Sequence, residues 1–581
     1  MVQKLDRREF LQAASAAAAV YALAACKPQT VEVEKEVTRV VEKVVEATPV
    51  PTSPEPITAN INMALNRGDI GDAGEPGCSG AVNSYYMNYM MFAALVRLTD
   101  KLEIEPDLAD TWSVSDDGTV YTFKLKPDLK WSDGSPLTAH DFEWSIKRNL
   151  DPKMWCGGQF WQLVDIKGSR AYYTGENTDP DSVAVKAIDD LTLQVETETP
   201  AGYFIQVCTL PAFMAVPKAS VDKALEINQE GRPQDWWKPP LGIYSGPFMP
   251  VEWITDLRVY FEANPYYAHG KPLIDKLNIH MIQNTATVMA AYEVGELDMV
   301  DLPETEYLRV IGDEELLADM VTSKELGVQH LVWDMGVPAT EDPRVRQAFA
   351  CAIDKDTLMN DVLPGVGSPA YQFLAPGLIG YNPEIGQELR YDPDKARKLL
   401  SDGGFPNPAD FPEMLINYGA GSTLYQTMFE AIQAMVQDAL KIKVTLVPGD
   451  QTSLGVKLAD MRYKQPLVWR QFWGADYPDP HNFMVVLYTC PPPQAAVWET
   501  PERVLCNPKF DELVWQAAAE TDNTKRAELY RLCEQQLVVE NPFVIPLYYP
   551  TRHRLIKPYL KNVVIIPQSF VMIRETTTIE K

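Results

Sequence analysis

The stretch Pro466 to Phe483, PLVWRQFWGADYPDPHNF, brings one guanidinium (Arg470), two carboxylates (Asp476, Asp479) and one imidazole (His481) among the rings of Trp469, Phe472, Trp473 and Tyr477. Such a segment is too polar for a core and too bulky for an ordinary turn. Its groups suit the binding of a charged small molecule: guanidinium and carboxylate make charge-assisted hydrogen bonds, and an imidazole can touch a metal. Catalytic patterns are missing. The chain has no HExxH, no GxSxG, no GxxxxGK[ST] and no GxGxxG after a strand. Its six histidines, His140, His269, His280, His330, His481 and His553, are dispersed, so no metal site is read from them. Binding without turnover and without a cofactor is the expectation, and no catalytic residue is named.

The elements around that stretch give it a place. Leu424, Met428, Ile432, Met435, Val436 and Ala439 form a helical face, followed by the alternating KIKVTLV, the helix-like TSLGVKLADMRY and then PLVWRQF. A strand, helix, strand unit implies a parallel pair, and in open α/β sheets ligands sit beyond the carboxyl ends of the strands. The aromatic and charged cluster is therefore expected to line a crevice. Elsewhere YTFKLK places Tyr121, Phe123 and Leu125 on one strand face, and LTLQVE does so with Leu191, Leu193 and Val195. Asp392-Pro393 and Asn507-Pro508 read as capped helix starts.

At 581 residues with 46% hydrophobic content, the chain is expected to fold as two or three lobes. Lys and Arg number 52 against 80 Asp and Glu, a formal charge of −28, which repels phosphate backbones and argues against nucleic acid. At the start, DRREFL with Arg7 and Arg8 precedes an apolar run from Ala13 to Ala25 that ends in LAAC. A basic pair before a short apolar run has the order of an export signal. It resembles a twin-arginine signal joined to a lipobox, with Cys26 as the lipidated residue and residues 1–26 as the signal peptide. Residues 27–56, rich in Val, Glu, Lys, Thr and Pro, then read as a membrane-tether linker, a simple stalk, and a monomer is expected. Seven cysteines remain, with no CxxC pair; Cys490 and Cys506 flank a proline-rich loop and are the candidate disulfide.

Blocks in order across Ile57 to Ile565 resemble the family 5 extracellular solute-binding proteins of ABC transporters: LADTWSVSDDGTVYTFKLKPDLKWSDGSPLTAHDFEWSIKR, NPYYAHGKPLIDKLNI, YEVGELDMVDLP, DPRVRQAFACAIDKDTLMNDVLPGVGSPA, WGADYPDPHNF and NPFVIPLYY. The resemblance implies an α/β, bilobal periplasmic-binding-protein fold of type 2, the large class with an extra domain. Lobe I is expected in residues 57–99, 191–326 and 541–581, the extra domain in 100–190 and lobe II in 327–540, with hinge crossings near GVQHLVWD and IPLYY. It further implies a peptide ligand held between the lobes, with Asp476 matching the position that takes the α-ammonium and Arg470 the position that takes the carboxylate of a short peptide. Trp469, Phe472, Trp473, Tyr477 and His481 complete the candidate ligand wall. Two alternatives stay open at this point: a nickel ion or metal chelate touched by His481, as in nickel-binding members, or an oligosaccharide stacked on tryptophan. ABC permease subunits are the implied partner, and the outer face of the cytoplasmic membrane the implied location.

Overall fold

The computed structural model describes residues 56–62, 74–78, 82–154, 163, 165–227, 235–449, 465–490, 507–568 and 570–580. The signal and tether, with Cys26, lie outside them, as do Cys506 and the helix-like run 452–463. Among the described residues no helix is long and apolar enough to cross a membrane.

One 12-stranded sheet runs through the molecule and bends at a single long strand, Val544–Ile556. Its first half, Val544 to Tyr548, pairs antiparallel with Gly327–Trp333. Its second half, Thr551 to Ile556, pairs with Met320–Lys324 and Met299–Asp301. The chain therefore crosses between the two halves twice, once between Lys324 and Gly327 and once around Tyr549 and Pro550. The Glu325 amide donates to the Pro550 carbonyl at 2.9 Å where the crossings meet.

On one side of the bend the order continues through Met299–Asp301, Thr58–Asn62, Lys276–His280, Arg258–Ala263 and Phe248–Ile254. On the other side it runs Gly327–Trp333, Leu467–Gly474, Met414–Tyr418, Val444–Pro448. The helix Thr423–Leu440 links the last two strands, capped by Ser422, whose hydroxyl accepts from the Tyr425 amide. It buries Met428, Phe429, Ile432, Val436, Ala439 and Leu440 against the sheet, the face its spacing demands. Gly327–Trp333 is buried along its whole length, so its polar residues carry internal partners. Gln329 donates to the Gln471 carbonyl, and His330 bonds the Tyr488 hydroxyl at 2.8 Å.

Val444–Pro448 and Leu467–Gly474 are parallel, but they do not pair with each other: Met414–Tyr418 lies between them, parallel to both. The helix Thr423–Leu440 crosses over from Met414–Tyr418 to Val444–Pro448, and the strand Leu467–Gly474 adds on the far side of Met414–Tyr418.

A separate antiparallel sheet, in the order Ala109–Val114, Val120–Leu125, Thr192–Glu196, Val185–Asp189, carries the helix Ala139–Asn149. Thr138 and Asp141 form a capping box at its start, and Phe142 and Ile146 are fully buried. Tyr121, Phe123 and Leu125 all point into this core. Leu193 and Val195 do as well, but Leu191 is 41% exposed, because the strand begins at Thr192 and Leu191 belongs to a turn closed by its amide donating to Asp189 Oδ1.

Candidate functional site

Leu467–Gly474 is an inner strand, paired residue for residue with Gly327–Trp333 from Val468↔Trp333 to Gly474↔Gly327. Side chains alternate along it, so Arg470 and Phe472 share one face while Trp469, Gln471 and Trp473 share the other. Beyond Gly474 the chain turns through Ala475 to Asp479 and enters the helix Pro480–Tyr488. Asp479 caps that helix by accepting from the His481 amide at 3.0 Å, with Pro480 at its first position. Asp476 thus stands past the carboxyl end of the strand, in the strand-to-helix turn.

The first turn of that helix holds Asp476 in place. Asn482, fully buried, donates from Nδ2 to Asp476 Oδ2 at 3.0 Å, and its Oδ1 accepts the Asp476 amide at 3.0 Å and the Trp473 indole at 3.1 Å. A second donor to the same carboxylate is the phenol of Tyr85, on the helix Val82–Met91. Gln568 donates to the carbonyls of Ala475 and Asp476, fixing the turn from the other side. Burial pushes the Asp476 carboxyl up to about 6, against the pull of Asn482 and Tyr85. Both donors are neutral, and among the described residues no cation pairs with this carboxylate.

Arg470 presents the opposite charge. Its Nη1 donates to Gln329 Oε1 at 2.9 Å, and the guanidinium lies 4.1 Å from the ring centre of Tyr425. Nε is shielded from solvent and has no hydrogen-bond partner among the described residues. Arg470 and Asp476 form no ion pair with each other. Six residues apart on an extended segment, they stand at most about 20 Å apart.

The other half of the stretch is packed inward. Tyr477 is 1% exposed, and its hydroxyl meets His481 Nδ1 at 2.6 Å. His481 stacks on Tyr203 with ring centres 3.6 Å apart and planes at 17°. Burial first, and the Arg526 charge second, hold this imidazole well below its ordinary range, so it is neutral. Tyr203 in turn bonds Asp165, and Asp479 pairs with Arg526 at 2.9 and 3.0 Å, both side chains buried. Among the described residues no group of three His, Cys, Asp or Glu is placed to hold a metal. Trp469 and Trp473 are half-buried, and Phe472 is the most open of the rings.

Cys490 is disulfide-bonded; its candidate partner Cys506 falls outside the described residues. Cys78 is disulfide-bonded too, which spacing did not foretell, while Cys208, Cys351 and Cys533 are buried free thiols. Sequence reasoning also missed Asn482, Gln329, Tyr425 and Tyr85. Asn482 lies in the same stretch and could have been found as the residue able to bridge the strand end and the helix start. Tyr85 carries no local signal, because only the fold brings it to Asp476.

The family model for bacterial extracellular solute-binding proteins, family 5, matches residues 103–494. Among curated proteins, the dipeptide-binding protein DppE of Bacillus subtilis is 28% identical over 485 residues, 82% of this chain and 84% of that one. The periplasmic oligopeptide-binding protein OppA of Escherichia coli is 28% identical over 462 residues, covering 78% and 81%. Among solved structures, the unliganded open form of the periplasmic murein tripeptide-binding protein MppA superposes with a TM-score of 0.72 at 25% identity, covering 90% of this chain and 98% of that one.

Proposed function

Since the chain belongs to the bacterial extracellular solute-binding proteins of family 5, we propose that it captures short peptides between two lobes and passes them to the permease of an ABC importer. Asp476 would take the peptide's α-ammonium and Arg470 its carboxylate. The observation that carries this reading is the state of Asp476: a desolvated carboxylate, fixed by Asn482 and Tyr85, with no cation paired to it among the described residues. A closed cleft strips water from both peptide termini, so each needs a charged partner already in place. Arg470, whose Nε has no hydrogen-bond partner among the described residues, supplies the second.

In this reading lobe I comprises residues 57–99, 191–326 and 541–581, the extra domain 100–190 and lobe II 327–540, and the protein works as a monomer. Closure turns on the two strand crossings. Acylation of Cys26 holds the protein on the outer face of the cytoplasmic membrane. It is a receptor and catalyses nothing. Among the alternatives, a metal chelate through His481 is the less suited, since that ring is stacked on Tyr203 and has no second ligand among the described residues. Native mass spectrometry of the protein taken from its own membrane is the test. A retained mass of a di- to oligopeptide supports the reading, and a sugar or a metal chelate overturns it.

A further inference from the structure

Three short segments meet beside the helices Pro508–Ala519 and Asn523–Glu534. The first is the hairpin turn 115–119, between the strands Ala109–Val114 and Val120–Leu125. Asp117 Oδ1 accepts from the Ser115 hydroxyl at 2.5 Å, the Thr119 hydroxyl at 2.8 Å and the Thr119 amide at 3.1 Å, and Gly118 takes the left-handed φ of 73° that the turn requires. The second, 201–203, is tied to the same sheet, for the Tyr121 hydroxyl donates to the Ala201 carbonyl at 2.6 Å. The third is the connection 520–522 between the two helices. There the Glu520 carboxylate accepts the Thr521 and Asp522 amides, each at 2.9 Å, and Asp522 caps the second helix. Each segment is thus fixed by bonds of its own.

Two glycines let these segments touch. A Cβ added at Gly202 would stand 2.9 Å from the Glu520 carbonyl oxygen and 3.5 Å from both Cδ and Nε of Arg526, its three nearest neighbours. Neither residue can give way. The first contact is backbone, and Arg526, 1% exposed, is held by Asp479 at 2.9 and 3.0 Å and by the Ala517 carbonyl at 3.2 Å. A Cβ at Gly118 would lie 3.4 Å from Cγ2 of Thr521. In the assignment proposed above, the hairpin turn belongs to the extra domain, Gly202 to lobe I, and Glu520, Thr521 and Arg526 to lobe II. All three nearest neighbours of a Gly202 side chain therefore sit across the gap between the lobes. Tyr203, the next residue, already crosses that gap by stacking on His481.

We propose that these glycines form a catch: the loop 520–522 of lobe II docks on the turns 115–119 and 201–203 when the lobes close, which makes the extra domain a working part of the clamp. The inference rests on the lobe assignment and the peptide reading above, and it adds a surface that sets affinity without touching the peptide. Close approach of a backbone carbonyl to a facing turn leaves no room for a side chain, which is the use of glycine at 202. A contact made only in the closed state favours that state, and so raises the apparent affinity of any ligand that closes the lobes. The same surface is intolerant of bulk: one methyl group at 202 meets lobe II before anything in its own lobe and holds the lobes apart.

Two variants of the full chain in detergent test the catch, with an equimolar mixture of tri- to pentapeptides as the probe. Gly202→Ala is expected to weaken peptide binding roughly tenfold, with an unchanged melting temperature of the peptide-free protein. Gly118→Cys combined with Thr521→Cys puts a sulfur where Cγ2 of Thr521 stands, within disulfide reach of the other thiol. Under oxidised glutathione, peptide is expected to speed formation of this bridge roughly tenfold, and the bridged protein to hold its peptide until a thiol reductant is added. The strain of a side chain at the left-handed Gly118 position is common to both conditions and leaves that ratio unaffected. Gly202→Ala that binds as tightly as the wild type, or a bridge that forms equally fast with and without peptide, overturns the catch and leaves peptide binding standing. Wild-type protein that retains no peptide overturns the peptide reading, and the catch with it.

Discussion

Asn482 holds Asp476 twice, by the backbone amide and by the carboxylate, each at 3.0 Å. The carboxylate is therefore aimed before any ligand arrives. Asp476→Asn keeps the shape and removes the charge, and it is expected to weaken binding of a free-amino peptide by about 2–5 kcal/mol, because an ammonium is left buried without its counter-ion. An N-acetylated peptide should bind both forms alike. Calorimetric titration of the two peptides against the two proteins decides the matter; an equal loss for both peptides would remove Asp476 from the ammonium.

Asn482→Ala tests the support and leaves the charge in place. It removes three hydrogen bonds around the turn, those to the Asp476 amide, the Asp476 carboxylate and the Trp473 indole. A loss of about 1–3 kcal/mol in peptide affinity is expected, with a changed Trp473 fluorescence. Unchanged affinity would mean that Tyr85 and Gln568 fix the turn without it.

Affinity should depend on pH through the same carboxylate. Without ligand the Asp476 pKa stands at about 6, and an ammonium beside it lowers that value. Binding is thus at full strength above about 6 and weakens as pH falls through it, by up to about tenfold per unit, until the lower pKa of the complex is reached. Near pH 6 binding releases a proton, which titrations in buffers of different ionisation enthalpy detect. Affinity that stays flat from pH 7 to pH 5 rules out this linkage.

Arg526 and Asp479 are both buried and bonded at 2.9 and 3.0 Å, so removing one partner strands the other charge. Arg526→Ala is expected to cost about 3–5 kcal/mol of folding stability, and the double change with Asp479→Asn clearly less than the two single losses added. Denaturant unfolding of the four proteins measures the coupling. Additive losses would show that the pair does not act as a unit.

How much of this was legible in the chain follows from the range of each interaction. The caps at Asp392-Pro393 and Asn507-Pro508 were readable because the acceptor and the amide it serves lie within three residues. The burial of Met428, Ile432 and Val436 was readable from helical spacing alone. Periodicity says that a strand exists, however, and not which strand lies beside it, so the insertion of Met414–Tyr418 between Val444–Pro448 and Leu467–Gly474 was beyond it. Asp476, past the end of the strand, and Arg470, inside it, were named through the family resemblance. The partners that give them their character, Tyr85 for one and Gln329 with Tyr425 for the other, arrive from distant parts of the chain. The same holds for Leu191, whose alternation fitted a strand that a tight Asp189 turn starts one residue later.

Tyr203 against His481 extends the argument to motion. In the lobe assignment proposed above, Tyr203 belongs to lobe I and His481 to lobe II, as Tyr85 and Asp476 do, so both contacts exist only while the lobes are together. Tyr203→Ala removes a stacked aromatic contact worth roughly 0.5–1.5 kcal/mol beyond its buried area, and it removes it from the closed state alone. Peptide affinity should therefore fall by about threefold to tenfold, although Tyr203 is assigned no contact with the peptide. Small-angle X-ray scattering supplies the independent readout: the contraction on adding peptide should need more peptide in the variant than in the wild type and reach the same final radius. A variant that contracts at the same peptide concentration would show that the stack is indifferent to closure.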